Sequence, residues 1–221
     1  MTPAKRNYVR HLPHQIPENF PIFLTWNLKG AMPRKVWQML QRERRRLEKQ
    51  PDRVGESRDK RKIRESKVIF LKADRALDGA TTGPMYLKDP AAAKTVEVSI
   101  LFGVPERYDL FAWCVMSNHV HVLVTPRWEL QDISQGIKGF TAHKITGLQK
   151  KRGRFFWQDE SYDHWARDED ELLRIIAYIE NNPEVAGLCQ KPEDWPWSSA
   201  RYRKTWLRGT VYQKSTSGFP A

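Results

Sequence analysis

The run Tyr108–Pro126, YDLFAWCVMSNHVHVLVTP, decides the architecture. It is almost continuously apolar, interrupted by Ser117, Asn118 and two histidines. Leu110–Val115 and Val120–Val124 have strand length and are rich in β-branched and aromatic residues, and Met116-Ser117-Asn118 between them reads as a hairpin turn. Side chains alternate across a strand, so His119 and His121 leave the sheet on one face with Leu123, while Val120, Val122 and Val124 take the other. A lone strand histidine is ordinarily satisfied by hydrogen bonds. Two side by side on a central hairpin form a preformed pair of nitrogen ligands, which a divalent metal explains better than packing does.

Outward from the hairpin, Phe20–Leu28 alternates as a first strand, with Phe23, Thr25 and Asn27 on one face and Ile22, Leu24, Trp26 and Leu28 on the other. Val36, Trp37, Leu40 and Leu47 recur at helical spacing and predict a surface helix over 34–47. Residues 42–67 hold 12 Lys/Arg against 6 Asp/Glu, a charged helical insertion that reads as a solvated face or a phosphate-contacting strip, the mixed signs favouring the former. Val68–Leu77 and Leu87–Phe102 read as further helices, the second starting near Asp89-Pro90. After the hairpin, Leu130, Ile133, Ile137, Phe140, Ile145 and Leu148 mark a long amphipathic helix carrying Lys138, Lys144 and Lys150, and it runs into Lys151, Arg152, Arg154 and Trp157. Cations beside aromatic rings make this segment the expected nucleic-acid contact, phosphates meeting the charges and bases the rings. Phe155–Trp165 supplies a last strand.

A chain of 221 residues supports one good core, and the expected organisation is a basic arm over 1–19, one domain over 20–202 and a tail over 203–221. The net charge of +12 calls for a polyanionic partner, with a ribosomal or merely basic protein as the bland alternative. Cys114 and Cys189 are too few for a disulfide framework or a zinc cluster. The sequence carries neither a membrane-length apolar run nor a signal-peptide core, so an intracellular protein with no membrane partner is expected.

The second informative element begins at Asp168, whose partner Glu171 three residues on marks a helix start. Leu172, Leu173, Ile176 and Ile179 form the expected buried stripe, with Tyr178 on its flank and Asn182 one turn above. Pro183 is expected to end the helix at Asn182. If this helix packs on the histidine face, the Asn182 amide oxygen completes a three-ligand site beside the Tyr178 hydroxyl. A phenol with a pKa near 10 is a weak nucleophile, so it needs a phosphate polarised by a Lewis acid. Imidazoles, an amide oxygen and water suit Mg2+ or Mn2+ better than a closed zinc site. A packing role for Tyr178 and a capping role for Asn182 are the structural alternatives.

NHVHVLV followed by YIENNPEVAGL, with FWQDESYDHWARDEDEL before it and DWPWSSARY after it, closely resembles the REP-associated tyrosine transposases, of the single-tyrosine HUH superfamily with an IS200-like domain. The resemblance covers Phe20–Leu28 and Leu110–Tyr202, whereas residues 34–107 are longer and more charged than is typical. It implies an α+β fold, an antiparallel ferredoxin-like sheet backed by helices. It also implies metal-dependent cleavage and rejoining of hairpin-bearing single-stranded DNA, with REP-type repeats as target. His119 and His121 then match the metal histidines, Tyr178 the nucleophile that forms a 5′-phosphotyrosine link, and Asn182 the polar residue one turn beyond. A cytoplasmic, nucleoid-associated monomer or homodimer would follow. Competing readings are a non-catalytic DNA binder that kept the fold, and a metal hydrolase, which would want a carboxylate that the hairpin does not supply.

Overall fold

The computed structural model describes residues 20–51, 53–148, 156–159 and 162–203. The basic arm, the tail beyond Arg203, and Lys150, Lys151, Arg152 and Arg154 lie outside the described residues. Strands β1 (Ile22–Asn27), β2 (Tyr108–Val115), β3 (His119–Pro126) and β4 (Tyr162–Trp165) form an antiparallel sheet in the order β2-β3-β1-β4. Among the described residues five α-helices accompany it: α1 (Arg34–Glu48), α2 (Arg58–Asp78), α3 (Pro90–Phe102), α4 (Leu130–Leu148) and α5 (Glu169–Val185). The expected α+β class is the one observed.

The alternation read from the sequence sorts the core into two faces. Ile22, Leu24, Trp26, Val120, Val122 and Val124 meet α3 and α4 through Val96, Ile100, Ile133 and Ile137. Phe23 and Leu123 meet α2 and α5 through Phe70, Leu172, Ile176 and Ile179 on the histidine side. Strand β2 needs one adjustment to serve both. A register shift between Leu110 and Ala112 inserts Phe111 as an extra residue. That changes the phase, so Leu110 and Trp113 share one face while Phe111, Ala112 and Cys114 share the other.

Helix α5 departs from its sequence reading in two ways. Its buried stripe is Leu172, Ile175, Ile176 and Ile179, whereas Leu173 is 47% exposed. It also continues through Pro183 to Val185. Proline forfeits one N–H near the end of a helix, yet the Ala186 N–H still reaches Asn182 O at 2.9 Å and the Leu188 N–H reaches Pro183 O at 2.8 Å. The stop comes at Gly187, which supplies the positive φ of 69° that closes the last turn. At the other end the expected cap is present, Asp168 Oδ1 accepting from the Glu171 N–H at 2.7 Å. In α1, Leu40 and Leu47 are buried as expected, but Trp37 is 52% exposed because it lies about 60–80° round the helix from that pair.

Gly103 lets α3 turn onto β2. A Cβ there would collide with the Tyr108 ring, whose hydroxyl donates to the Ile100 carbonyl. We expect Gly103→Ala to destabilise the fold by about 1–3 kcal/mol through overpacking, read as a lower urea midpoint. An unchanged midpoint would show that the ring relaxes freely.

Candidate metal centre and its tyrosine

Thr25 pairs with His121 and Asn27 with His119 across β1 and β3, and this register sets the histidines' surroundings. Thr25 Oγ1 lies 2.7 Å from His121 Nδ1, and Asn118 Oδ1 lies 2.6 Å from His119 Nδ1. Asn118 Oδ1 can only accept, so Nδ1 of His119 carries its proton and Nε2 is left as a bare lone pair. Thr25 imposes the same tautomer on His121 when its hydroxyl accepts. Both Nε2 atoms point into one buried space, 3.1 Å apart. Orientation of a ligating imidazole through its other nitrogen is the usual outer support of a metal site.

The carboxylate absent from the hairpin arrives from α2. Asp74 Oδ1 stands 3.5 Å from His121 Nε2 and 3.8 Å from His119 Nε2, and Asp78 Oδ1 stands 3.6 Å from His119 Nε2. Ligand atoms of Asp74, His119 and His121 lie within 4.8 Å of one another, all three residues buried. Asp74 Oδ1, Asp78 Oδ1 and Asn182 Oδ1 have no hydrogen-bond partner among the described residues. Unsatisfied buried oxygens beside two bare nitrogens are costly alone and are what a divalent cation satisfies, so the donor set fits a metal. The inserted helix is held in register by the hairpin turn itself, through the Asn118 Nδ2 to Leu77 O bond of 2.9 Å.

Tyr178 and Asn182 come to the same place from α5. The Tyr178 hydroxyl donates a short hydrogen bond to Asp74 Oδ2. The Asn182 amide nitrogen lies 3.3 Å from Asp74 Oδ2 and 3.2 Å from His121 Nε2. The amide thus faces the histidine with its nitrogen, not with the oxygen expected as a ligand; a half-turn of the amide exchanges the two. Phe23 and Phe70 wall the tyrosine at ring separations of 6.0 and 6.1 Å, and Phe70 stacks on Tyr162 at 4.0 Å.

Burial dominates the electrostatics. It lowers both histidines to about 3, with mutual repulsion adding for His119, so both are neutral ligands at ordinary pH. Burial and the neighbouring Asp74 raise Asp78 to about 7. The Tyr178 phenol is pushed well above its usual value by burial and then by Asp74, so it rests protonated.

Sequence reasoning found four of these residues and missed Asp74 and Asp78. A signal existed: two acids one turn apart at the C-terminal end of a cationic helix, where the helix dipole disfavours negative charge. Other expected contacts fall elsewhere. Trp157 is only 5% exposed, donates from its indole to Thr141 Oγ1 at 3.0 Å, and packs on the sheet face opposite the histidines, so its ring is core and not a stacking surface. Helix α4 packs on that opposite face too. Lys138 is half-buried, 3.3 Å from the Asp159 carbonyl and lowered to about 8 by burial. Lys144 is exposed beside Phe140 at 6.0 Å from its ring centre. About 120° separates these two lysines around the helix.

Comparison with known proteins follows the same residues. Residues 101–182 match the family model described as Transposase IS200 like. A Haemophilus influenzae protein assigned by name to the REP-associated tyrosine transposases is 24% identical over 126 residues, 51% of this chain and 69% of the relative. A solved REP-associated tyrosine transposase bound to a REP hairpin shares the fold with a TM-score of 0.50 and 14% identity, over 96% of this chain and 90% of that one.

The buried histidines give a pH test on metal-free protein. Between about 3 and the unfolded value of 6.5 the unfolded chain binds two protons that the native pair refuses, so stability falls as pH falls. Asp78 opposes this: with a native value of about 7 against 3.8 unfolded, it favours the fold at low pH and loses that contribution as pH rises. Two histidines outweigh one carboxylate, so in EDTA stability should drop from pH 6.5 to 4.5 by on the order of 1 kcal/mol per pH unit. Asp78→Asn should steepen the drop and His121→Gln flatten it; a level profile in the parent would mean the imidazoles titrate normally.

Family model, curated relative and solved structure agree on one resemblance, and the chain is recognised as similar to the REP-associated tyrosine transposases of the IS200-like family.

Proposed function

We propose that this chain is a metal-dependent single-stranded DNA transesterase of the transposase type, cleaving and rejoining hairpin-bearing DNA, with REP-type repeats as the substrate class. The observation that carries the reading is Asp74, which meets the His119–His121 pair with one oxygen and the Tyr178 hydroxyl with the other. Nucleophile and ligand set are thereby joined through one carboxylate. The REP hairpin bound by the solved relative supports the choice of DNA.

His119, His121 and Asp74 would hold the ion, with Asn182 beside them, and an oxygen-and-imidazole set with a carboxylate suits Mg2+ or Mn2+. When bound, the ion supplies Lewis acidity to a phosphodiester oxygen. The chain supplies the remainder. Tyr178 Oη attacks phosphorus, the bond from phosphorus to the 3′ oxygen breaks, and a 5′-phosphotyrosine link forms. Asp74 Oδ2, already accepting from the phenol, takes its proton and is placed to return it to the departing 3′-OH. Reversal by attack of a 3′-OH on the link rejoins DNA with no outside energy source, because the phosphodiester is conserved as the tyrosyl ester. Phe23 and Phe70 fix the phenol's orientation during both steps.

Asp74 also gives substance to a second reading, a metal hydrolase in which this carboxylate activates water. The product separates the two. Transesterification leaves protein covalently attached to the 5′ end of the cut strand, while hydrolysis leaves free ends.

With a labelled hairpin-bearing strand and Mn2+, the parent should form a denaturation-resistant adduct. Tyr178→Phe should form none while still binding the strand, and excess EDTA should reproduce the loss. Asp74→Asn should slow adduct formation by about 10²–10⁴-fold, the usual worth of a positioned base. Cleavage by Tyr178→Phe at the parental rate, with free ends, would replace the transesterase by the hydrolase.

Asn182 has its own test. Asn182→Ala should raise the Mn2+ concentration for half-maximal adduct, with Asn182→Gln intermediate. An unshifted metal curve, with a melting temperature lowered by an amount worth about 1 kcal/mol, would make it a local hydrogen-bonding residue only.

A further inference from the structure

Helices α1 and α2 are both rooted at the catalytic end of the sheet. The chain leaves β1 at Asn27, opposite His119, and begins α1 at Arg34; it returns along α2 to Asp74 and Asp78 at the metal centre. In sequence this segment mixes charges of both signs, but the fold sorts them. Glu43 is held by Arg46 and Lys72, both at 2.8 Å, Glu65 by Arg61 at 2.7 Å, and Glu56 by Arg64 at 2.8 Å. One face of α1 carries cations and no acid. Lys35, Arg42, Arg45 and Lys49, with Gln38 between the first two, follow the 3-4-3-4 spacing of one helical stripe, and all five are exposed. Among the described residues none of the four cations has an acidic partner. Leu40 and Leu47, on the opposite side of α1, turn the stripe outward.

We infer that this stripe on α1 is a binding surface for the phosphate backbone of duplex DNA, the paired arm of a hairpin substrate whose single-stranded foot reaches Tyr178. The inference rests on the reading of the chain as a DNA transesterase. The fourteen steps from Lys35 to Lys49, the C-cap of α1, rise about 21 Å at 1.5 Å per residue. That length covers about six base pairs of duplex, each strand carrying one phosphate per 3.4 Å of helix axis. The cations contact backbone and not base edges, so they position the stem without reading its sequence. The expected basic helix α4 lies across the sheet from the histidines, whereas α1 belongs to the helix pair that carries Asp74.

The test compares the parent with the quadruple variant Lys35→Gln, Arg42→Gln, Arg45→Gln, Lys49→Gln, using a hairpin with a single-stranded flank and the same flank without its stem. Fluorescence anisotropy across 50–200 mM salt gives affinity and salt slope. Loss of four phosphate contacts should reduce the slope for the hairpin by about three to four units and weaken its binding at least about tenfold. Binding of the stemless strand should not change. The charge-keeping variant Arg42→Lys, Arg45→Lys should retain the parental slope, and an unchanged melting temperature shows that each variant is folded. An unchanged hairpin slope in the quadruple variant overturns the proposal. So does equal weakening of the stemless strand, which would make the stripe a single-strand track. Stripe-dependent binding to anionic phosphatidylserine vesicles with no slope change on DNA would overturn it in favour of a lipid surface. A parent that binds hairpins but forms no adduct would defeat the transesterase reading while the salt slope still judges this surface.

Discussion

His119 Nε2 and His121 Nε2 face each other across 3.1 Å in a space closed to solvent, and most of the structure can be understood as arranging and answering that approach. Outer nitrogens bound to Thr25 and Asn118 prevent the rings from turning away. Burial keeps protons from relieving the repulsion, since protonating either ring would put an ion in the core. What remains is a third group that accepts two lone pairs at once. Asp74 and Asp78 bring carboxyl oxygens to the same space, a donor set that suits a cation.

The sheet supplies precision and the helices supply reach. Antiparallel pairing between β1 and β3 fixes Thr25 against His121 with no freedom of register, because a slip by one residue would send every side chain to the other face. Helices α2 and α5 then approach that face from separate parts of the chain, with 104 residues between Asp74 and Tyr178. One carboxylate, Asp74, thereby joins the Tyr178 hydroxyl to the histidine pair. The phenol is held against Asp74 and kept protonated by burial and by that carboxylate.

The pair α1–α2 lies in the chain between β1 and the central hairpin. Its inner end brings Asp74 and Asp78 to the histidines, and on its outer surface Glu43, Glu56 and Glu65 are held in ion pairs that leave the α1 cations Lys35, Arg42, Arg45 and Lys49 without acidic partners among the described residues. A single segment therefore joins the metal centre to a strip of charge leading away from it. That continuity gives a physical reason for so charged an insertion at this point in the chain.

Local periodicity sufficed for the elements whose neighbours are close in sequence. Alternation in YDLFAWCVMSNHVHVLVTP determined the hairpin, the shared face of His119 and His121, and the opposite face of Val120, Val122 and Val124. The tyrosine helix and its Asp168 cap were equally legible, and the family motif joined Tyr178 and Asn182 to the histidines as one expected site. Tertiary packing decided the remainder. The two acids at the end of α2 marked Asp74 as unusual, but only α2 laid over the histidine face joined it to imidazoles 45 and 47 residues later. The bulge at Phe111, the burial of Trp157 and the passage of α5 through Pro183 likewise depend on what lies across the interface. Short-range pattern fixes which face a side chain takes; only the assembled core decides what that face meets.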